Sequence, residues 1–215
     1  MSAVPQQPIA RVDRRKKRTR RQLVDAARRI LVSRGTTDVS IQDITDEADV
    51  GLGSFYNHFS SKKELFEVAV GEALDEYGQQ LDQTSAGMDD PAEVFALGVR
   101  MTARLTRTQP AVARILVQAG EVYLLSDRGL APRARRDIER GVAAGRFVVA
   151  STDVALVAVA GAVLTYVQVE LASPDRFDDT SADALAELLL RMLGMSSRSA
   201  RAVVRRPLPA LPDGA

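Results

Sequence analysis

Between Gly51 and Phe59 the chain places Ser54, Tyr56, Asn57 and His58 within five consecutive positions, on a segment barely two helical turns long. A hydroxyl, a phenol, an amide and an imidazole at that density are donors and acceptors for phosphate oxygens and base edges, which is the chemistry of recognition rather than of bond-making. A basic run, Arg14-Arg15-Lys16-Lys17-Arg18 with Arg20 and Arg21, lies upstream. Groups that would support other chemistry are missing. The 215 residues contain no Cys, and the one His is already in this segment. No phosphate-binding Gly loop occurs, and the Asp and Glu residues show no metal-ligand spacing. The expectation is no catalytic residue, no metal and no cofactor.

Charge supports the same reading. Net charge is +1, but residues 1–64 hold 13 Lys/Arg against 8 Asp/Glu, and residues 65–215 hold 16 against 20. A basic head on an acidic body points to a polyanionic partner for the head. At 46% hydrophobic residues the chain can build a core.

The elements that must position these residues read as helices. Leu23, Ala26, Ala27, Ile30 and Leu31 form one apolar stripe in a helix over about Arg18–Ser33, which Gly35 ends. Ser40 and Asp43 have capping-box spacing, with Val39 and Ile44 as the hydrophobic staple. This second helix ends by Ala48, Asp49-Val50 make the turn, and a third runs from Gly51 or Leu52 to near His58. Helices this short are marginal alone, so the first must cover them. Ile41, Ile44, Ala48, Val50, Phe55 and Phe59 supply the core, and Leu52, Gly53, Ser54, Tyr56, Asn57 and His58 face outward or toward the ends. Ser61-x-x-Glu64 reads as a second capping box opening a longer helix. Further helices are expected from Pro91, over Ala111–Val117, Glu121–Leu125, Arg133–Ala144 and Val154–Val169, and from Thr180-x-x-Asp183 to Leu193. No strand pattern is found. The expected fold is all-α with about nine helices: 1–17 a flexible basic arm, 18–64 a helix-turn-helix domain, 65–195 a helical ligand-binding and dimerisation domain, 196–215 a loose tail.

The pattern Gly35…Val39-Ser40-Ile41-x-Asp43-Ile44…Ala48-x-Val50-x-x-Gly53-x-Phe55-Tyr56-x-His58-Phe59-x-Ser61-Lys62…Leu65 resembles the signature of the TetR family of bacterial transcriptional regulators. The resemblance covers about residues 20–70. Two positions depart from it: Asp49 stands where the family usually has Gly, and Gly51 where Ser or Thr is common. Both residues are compatible with a turn and a cap, but a hydroxyl–phosphate contact at position 51 is lost. The resemblance implies that Ser40 and Gln42 meet phosphate or a base edge, and that Gly53 admits close DNA approach. Ser54 and Asn57 would read bases or phosphate. Tyr56, His58 and Lys62 would hold phosphate, and Arg15, Lys16, Lys17 and Arg18 would add attraction along the DNA.

It also implies a homodimer on a double-stranded, near-palindromic operator, with the heads about one DNA turn apart, roughly 34–36 Å. A small apolar or amphipathic effector in the body would release it by retilting the helix after Ser61. Pocket candidates are Met101, Leu105, Ile115, Gln118, Val122, Tyr123, Tyr166 and Gln168. Dimer candidates are Val159, Val163, Val167, Leu185, Leu188, Leu189 and Met192. The Val154–Val169 stretch, bracketed by Asp153 and Glu170, is shorter than the roughly 20 apolar residues of a membrane span and reads as buried in protein. The implied compartment is the cytoplasm, with association to the nucleoid on DNA. The alternative is an architectural DNA-binding protein with no effector. Effector, operator, and repression versus activation stay open.

Overall fold

The computed structural model describes residues 7–120, 128–178 and 180–209, without the side chains of residues 7–12. They form helices α1 (Gln7–Arg34), α2 (Ile41–Glu47), α3 (Leu52–Tyr56), α4 (Lys62–Thr84), α5 (Pro91–Ala103), α6 (Leu105–Thr108), α7 (Pro110–Ala119), α8 (Leu130–Ala143), α9 (Thr152–Ala172), α10 (Ser181–Met192) and α11 (Ser197–Val204), with no strand among the described residues. The chain divides into two compact units, Met1–Val70 and Gly71–Ala215, so the division falls six residues beyond the expected one.

In unit 1, α1 lays Leu23, Ala26, Ala27, Ile30 and Leu31 against Ile44, Ala48, Phe55 and Phe59, all buried. Ile41 and Val50, expected beside them, are half-buried. The arm expectation is corrected: α1 already runs from Gln7, because Arg and Lys, both good helix formers, dominate the segment after Pro8 and no further Pro or Gly interrupts it. Residues 1–6 lie outside the described part.

In unit 2, α5 and α9 pack Phe95, Val99, Leu156, Val159 and Val163 with Leu189 and Leu190 of α10, Phe147, and Val203 and Val204 of α11. The loose-tail expectation is corrected accordingly. Ser196 caps α11 by accepting from the Ser199 amide, and Arg100 donates to the Arg206 carbonyl at 2.9 Å. The Arg- and Pro-rich composition hid this cap and its apolar triplet. Residues 210–215, and the helix expected over Glu121–Leu125, lie outside the described residues.

Two capping assignments shift. The Ser61 hydroxyl accepts from the Glu64 amide at 3.2 Å, but the Glu64 carboxylate bonds the amide and hydroxyl of Ser60 instead of closing the box on Ser61. Thr180 makes no side-chain cap, and the Asp183 carboxylate is taken by Arg100 at 2.7 Å and Arg104 at 2.8 Å. Two guanidiniums outcompete one backbone amide for a carboxylate.

By length and composition α9 could cross a membrane. Its Ala155, Leu156, Val159, Val163 and Val167 are instead buried in unit 2, and Glu170, 3% exposed, pairs with Arg107 at 3.1 Å. A buried charge held by a partner on another helix is a core-helix feature.

Candidate nucleic-acid interface and effector cavity

The local chemistry of α2 and α3 fixes the interface. The Ser40 hydroxyl accepts from the Asp43 amide at 3.0 Å, and the Asp43 carboxylate accepts from the Ser40 amide at 2.9 Å and its hydroxyl at 2.5 Å. These bonds from Ser40 hold the Asp43 carboxyl below the usual carboxylate range. At the other end of α2, the Val50 amide reaches the Thr45 carbonyl and the Asp49 amide the Asp46 carbonyl. This is a Schellman closure, and it needs a left-handed residue at Asp49, where φ is +53°. Asp fills that place because its short polar side chain tolerates the left-handed region. Gly51 then opens α3 in extended backbone with no side-chain cap.

Phe55 anchors α3. It is fully buried, edge-on to Tyr56 with ring centroids 5.4 Å apart, and 6.1 Å from Phe59. The two other large side chains of α3 are left outside: Leu52 is 47% and Tyr56 63% exposed. Asn57 is exposed, while Ser54 and His58 are half-buried. A Cβ added at Gly53 would meet nothing within 4 Å, so no neighbour within the chain requires a glycine there. Burial lowers the His58 pKa, with the charges of Lys16 and Arg20 adding to it, so α1 brings cations to the end of α3. The Arg20 guanidinium also lies 5.4 Å from the Phe59 ring centroid. Arg15, Lys16, Lys17 and Arg18 are exposed on α1.

Two candidates already have partners inside unit 1. The Lys62 amine donates to the Val39 carbonyl at 2.7 Å and lies 3.8 Å from the Asp38 carboxylate. It thereby pins the entry to α2. The Gln42 amide donates to Asp46 at 2.6 Å. Ser40, Gln42 and the α3 residues sit on or beside neighbouring short helices of one unit, and Lys62 braces the entry to the first of them.

Unit 2 contains a cavity of about 130 Å³. Its apolar wall includes Leu74 of α4, Phe95 and Val99 of α5, Leu116 of α7, and Val163 and Leu164 of α9. One corner is polar, formed by Ser85, Thr102, Asp82, Arg133, Arg136 and Asp137. The expected lining is corrected: none of Met101, Leu105, Ile115, Gln118, Tyr166 or Gln168 borders the cavity. Met101, Leu105 and Ile115 are core residues, Tyr166 stacks on Phe177 at 4.4 Å, Gln168 is exposed, and Val122 and Tyr123 lie outside the described residues. The charged residues of α8 were missed because they resemble a solvated face. Their one usable signal is that Arg133, Arg136 and Asp137 recur at helical spacing on a single side.

Corrections also apply to the dimer candidates. Val159, Val163, Val167 and Leu189 point into the protomer, Leu185 is half-buried, and only Leu188 and Met192, 60% and 46% exposed, are open. On α9 the exposed stripe is Val154, Val157 and Ala158, continued by half-buried Gly161. Because α9 is apolar on all sides, its pattern could not say which side faces the core.

Residues 23–69 match the model of the bacterial regulatory proteins of the tetR family, and residues 90–206 match a tetracyclin-repressor-like C-terminal domain. The chain belongs to the TetR family. That is a family of helix-turn-helix regulators of transcription rather than of enzymes. The crystal structure of RolR in complex with the ligand resorcinol is 33% identical, covers 93% of this chain and 100% of its own, and superposes with a TM-score of 0.76. The transcriptional repressor DhaR of Mycobacterium sp. (strain GP1) is 37% identical over 75 residues, 35% of this chain and 36% of its own. The repressor KstR2 of Rhodococcus jostii (strain RHA1) is 30% identical over 95 residues, 44% of this chain and 47% of its own. The chain therefore spans under half the length of these two curated relatives.

Proposed function

We propose that this protein is a ligand-responsive repressor that binds a near-palindromic operator as a homodimer and leaves it when a small, largely apolar molecule enters unit 2. The observation that carries the reading is α3. A five-residue helix is anchored by one buried Phe and leaves Gly53 and Tyr56, with Asn57 at its C-cap, exposed and Ser54 half-buried, where they are available to a groove. Gly53, Ser54 and Asn57 approach base edges, Tyr56 and His58 hold phosphates, and the basic face of α1 adds counterion-releasing contacts. Ser40 and Gln42 border the same surface, and Lys62 supports it from behind.

Exposed Val154 and Val157 on α9 and Leu188 and Met192 on α10 support self-association, which would place two heads on successive turns of DNA. A cavity with an apolar wall and one polar corner suits a compact molecule carrying hydroxyls. Since RolR is described in complex with resorcinol, a small hydroxylated aromatic is the effector class proposed here. Action on DNA places the protein in the cytoplasm, at the nucleoid when bound.

The test is protection mapping on the DNA beside its own coding region, followed by titration with resorcinol and related phenols. A short two-fold-symmetric footprint that recedes as the phenol is added is the expected result. Uniform coverage without a discrete site would instead identify an architectural DNA-binding protein.

A further inference from the structure

Beside the polar residues of α3 stands a side chain that can make no hydrogen bond, Leu52. Among the residues of unit 1 whose side chains are described, two large hydrophobic ones are exposed, Leu52 and Tyr56. They are the first and last residues of α3, at i and i+4, and so share one face. Tyr56 brings a hydroxyl to that face, whereas Leu52 brings only hydrocarbon. The core does not need Leu52, because fully buried Phe55 anchors the helix. A single apolar residue on a surface is ordinary. Leu52 is set apart by where it stands and by its neighbours.

Those neighbours in sequence are both glycines, and both are exposed. A Cβ built at Gly51 or at Gly53 would meet nothing within 4 Å. Gly51 has φ −67° and ψ 144°, a conformation open to any residue. Neither glycine therefore relieves a clash within the chain, and Gly53 is a poor helix former inside a helix. Together they clear both flanks of Leu52 and let the backbone approach a surface closely, which a side chain as short as Leu needs in order to reach it. Neither adds a donor or an acceptor beside it.

In the major groove the base edges present hydrogen-bonding groups, with one apolar feature among them, the C5-methyl of thymine. A Leu pressed on a carbonyl or amino edge removes its water and returns no hydrogen bond. It therefore disfavours the other bases as well as favouring the methyl.

We propose that Leu52 is a reader of the pyrimidine C5-methyl: it packs on the methyl of one thymine in each half of the operator and so fixes the base at that position. 5-Methylcytosine carries the same methyl on the same ring carbon, so it is tolerated there better than cytosine. This rests on the placement of α3 in a DNA groove proposed above.

The experiment uses the full chain and the DNA site found by protection mapping. Uracil, which is thymine without the methyl, replaces each thymine in turn, and fluorescence anisotropy reads the affinity of wild type and Leu52→Ala. Ala ends too short to touch the methyl; it keeps the fold because the position is exposed and Ala is a good helix former, and thermal melting checks this. Leu52→Gln, which keeps the length of the side chain and makes its end polar, serves for the same comparison if Leu52→Ala melts early. Expected for wild type is one thymine per half-site at which uracil lowers affinity about fourfold, and about 15-fold when both halves are changed, the worth of one buried methyl each time. In Leu52→Ala the double exchange should cost less than about twofold. At the same positions, paired with guanine, 5-methylcytosine should bind wild type more tightly than cytosine by a similar factor, and the variant should not distinguish them. A scan in which no thymine responds overturns the proposal. So does a uracil penalty that is the same in Leu52→Ala, because another residue then reads that methyl. A wild-type chain that protects no discrete site overturns the placement of α3, and the role of Leu52 with it.

Discussion

Replacing Tyr56 by Phe removes one oxygen and little else. The ring, 63% exposed, keeps its edge contact with buried Phe55, so the fold of unit 1 should be untouched. If the hydroxyl donates to a phosphate at a solvated surface, its net worth is about 1 kcal/mol, near the middle of the range for hydrogen bonds in water. The proposed dimer would make the contact twice, so about 2 kcal/mol would be lost. At about 1.4 kcal/mol per decade the operator affinity should fall about 30-fold. Fluorescence anisotropy at fixed salt measures it, with thermal melting as the control for folding. Because a phosphate carries no sequence information, affinity for a scrambled fragment should fall by a similar factor. An unchanged affinity in a folded variant would refute the contact. A loss confined to the operator would move Tyr56 from phosphate to base recognition.

Changing Arg15, Lys16, Lys17 and Arg18 to Ala should flatten the salt dependence of operator binding by about 0.9 in log–log slope for each phosphate contact removed; a preserved slope would leave this face of α1 idle. His58 has its pKa lowered in the free protein, first by burial and then by Lys16 and Arg20, and a phosphate would favour its protonated form. Operator affinity should therefore rise as pH falls through the ordinary His range near 6.5, while the stability owed to neutral His58 is full above that value and lost as pH falls below it. Affinity titrations of wild type and His58→Gln at pH 5.5–7.5 check this, and a flat wild-type profile would contradict it. Gly141→Ala drives a Cβ into the Phe147 ring. Overpacking of about 1–3 kcal/mol should lower the melting temperature by several degrees. An unchanged melt would mean the ring moves freely. Asp82, Asp90 and Asp183 are each pushed upward by burial and pulled further down by arginine hydrogen bonds, to net values below 3.8. Their contribution should hold above pH 3.8 and fade only as pH falls toward the folded values; acid unfolding followed by circular dichroism that sets in well above that range would count against it.

How much the sequence discloses depends on whether the signal is local. Val39, Ser40, Asp43 and Ile44 announce α2 because a capping box and staple act within five residues, and the structure forms both the cap bonds and the buried pair. The same locality makes Phe55 and Phe59 readable as core. The cavity was not readable, because it depends on pairs such as Arg133–Asp75 and Arg136–Asp82, more than 50 residues apart, which leave no periodic trace. The start of α1 was hidden by charge: a basic run with no apolar stripe looks like a solvated arm although Arg and Lys favour helix. Lys62 was read by its charge alone, because its bond to a carbonyl 23 residues away leaves no local trace. For α9, hydropathy alone identified a buried helix, but a helix apolar on every side does not say which residues meet its own core and which are left for a second copy.

The packing of α11 has a bearing on biosynthesis. The core of unit 1 lies before residue 71, whereas unit 2 cannot seat Val203 and Val204, or offer the Arg206 carbonyl to Arg100, until residues 203–206 have been made. At about 5–20 residues per second, translation separates the two moments by on the order of ten seconds. During each round of synthesis unit 1 is thus complete in sequence before unit 2, and a ribosome stalled late would hold out a helix-turn-helix head without a finished second unit.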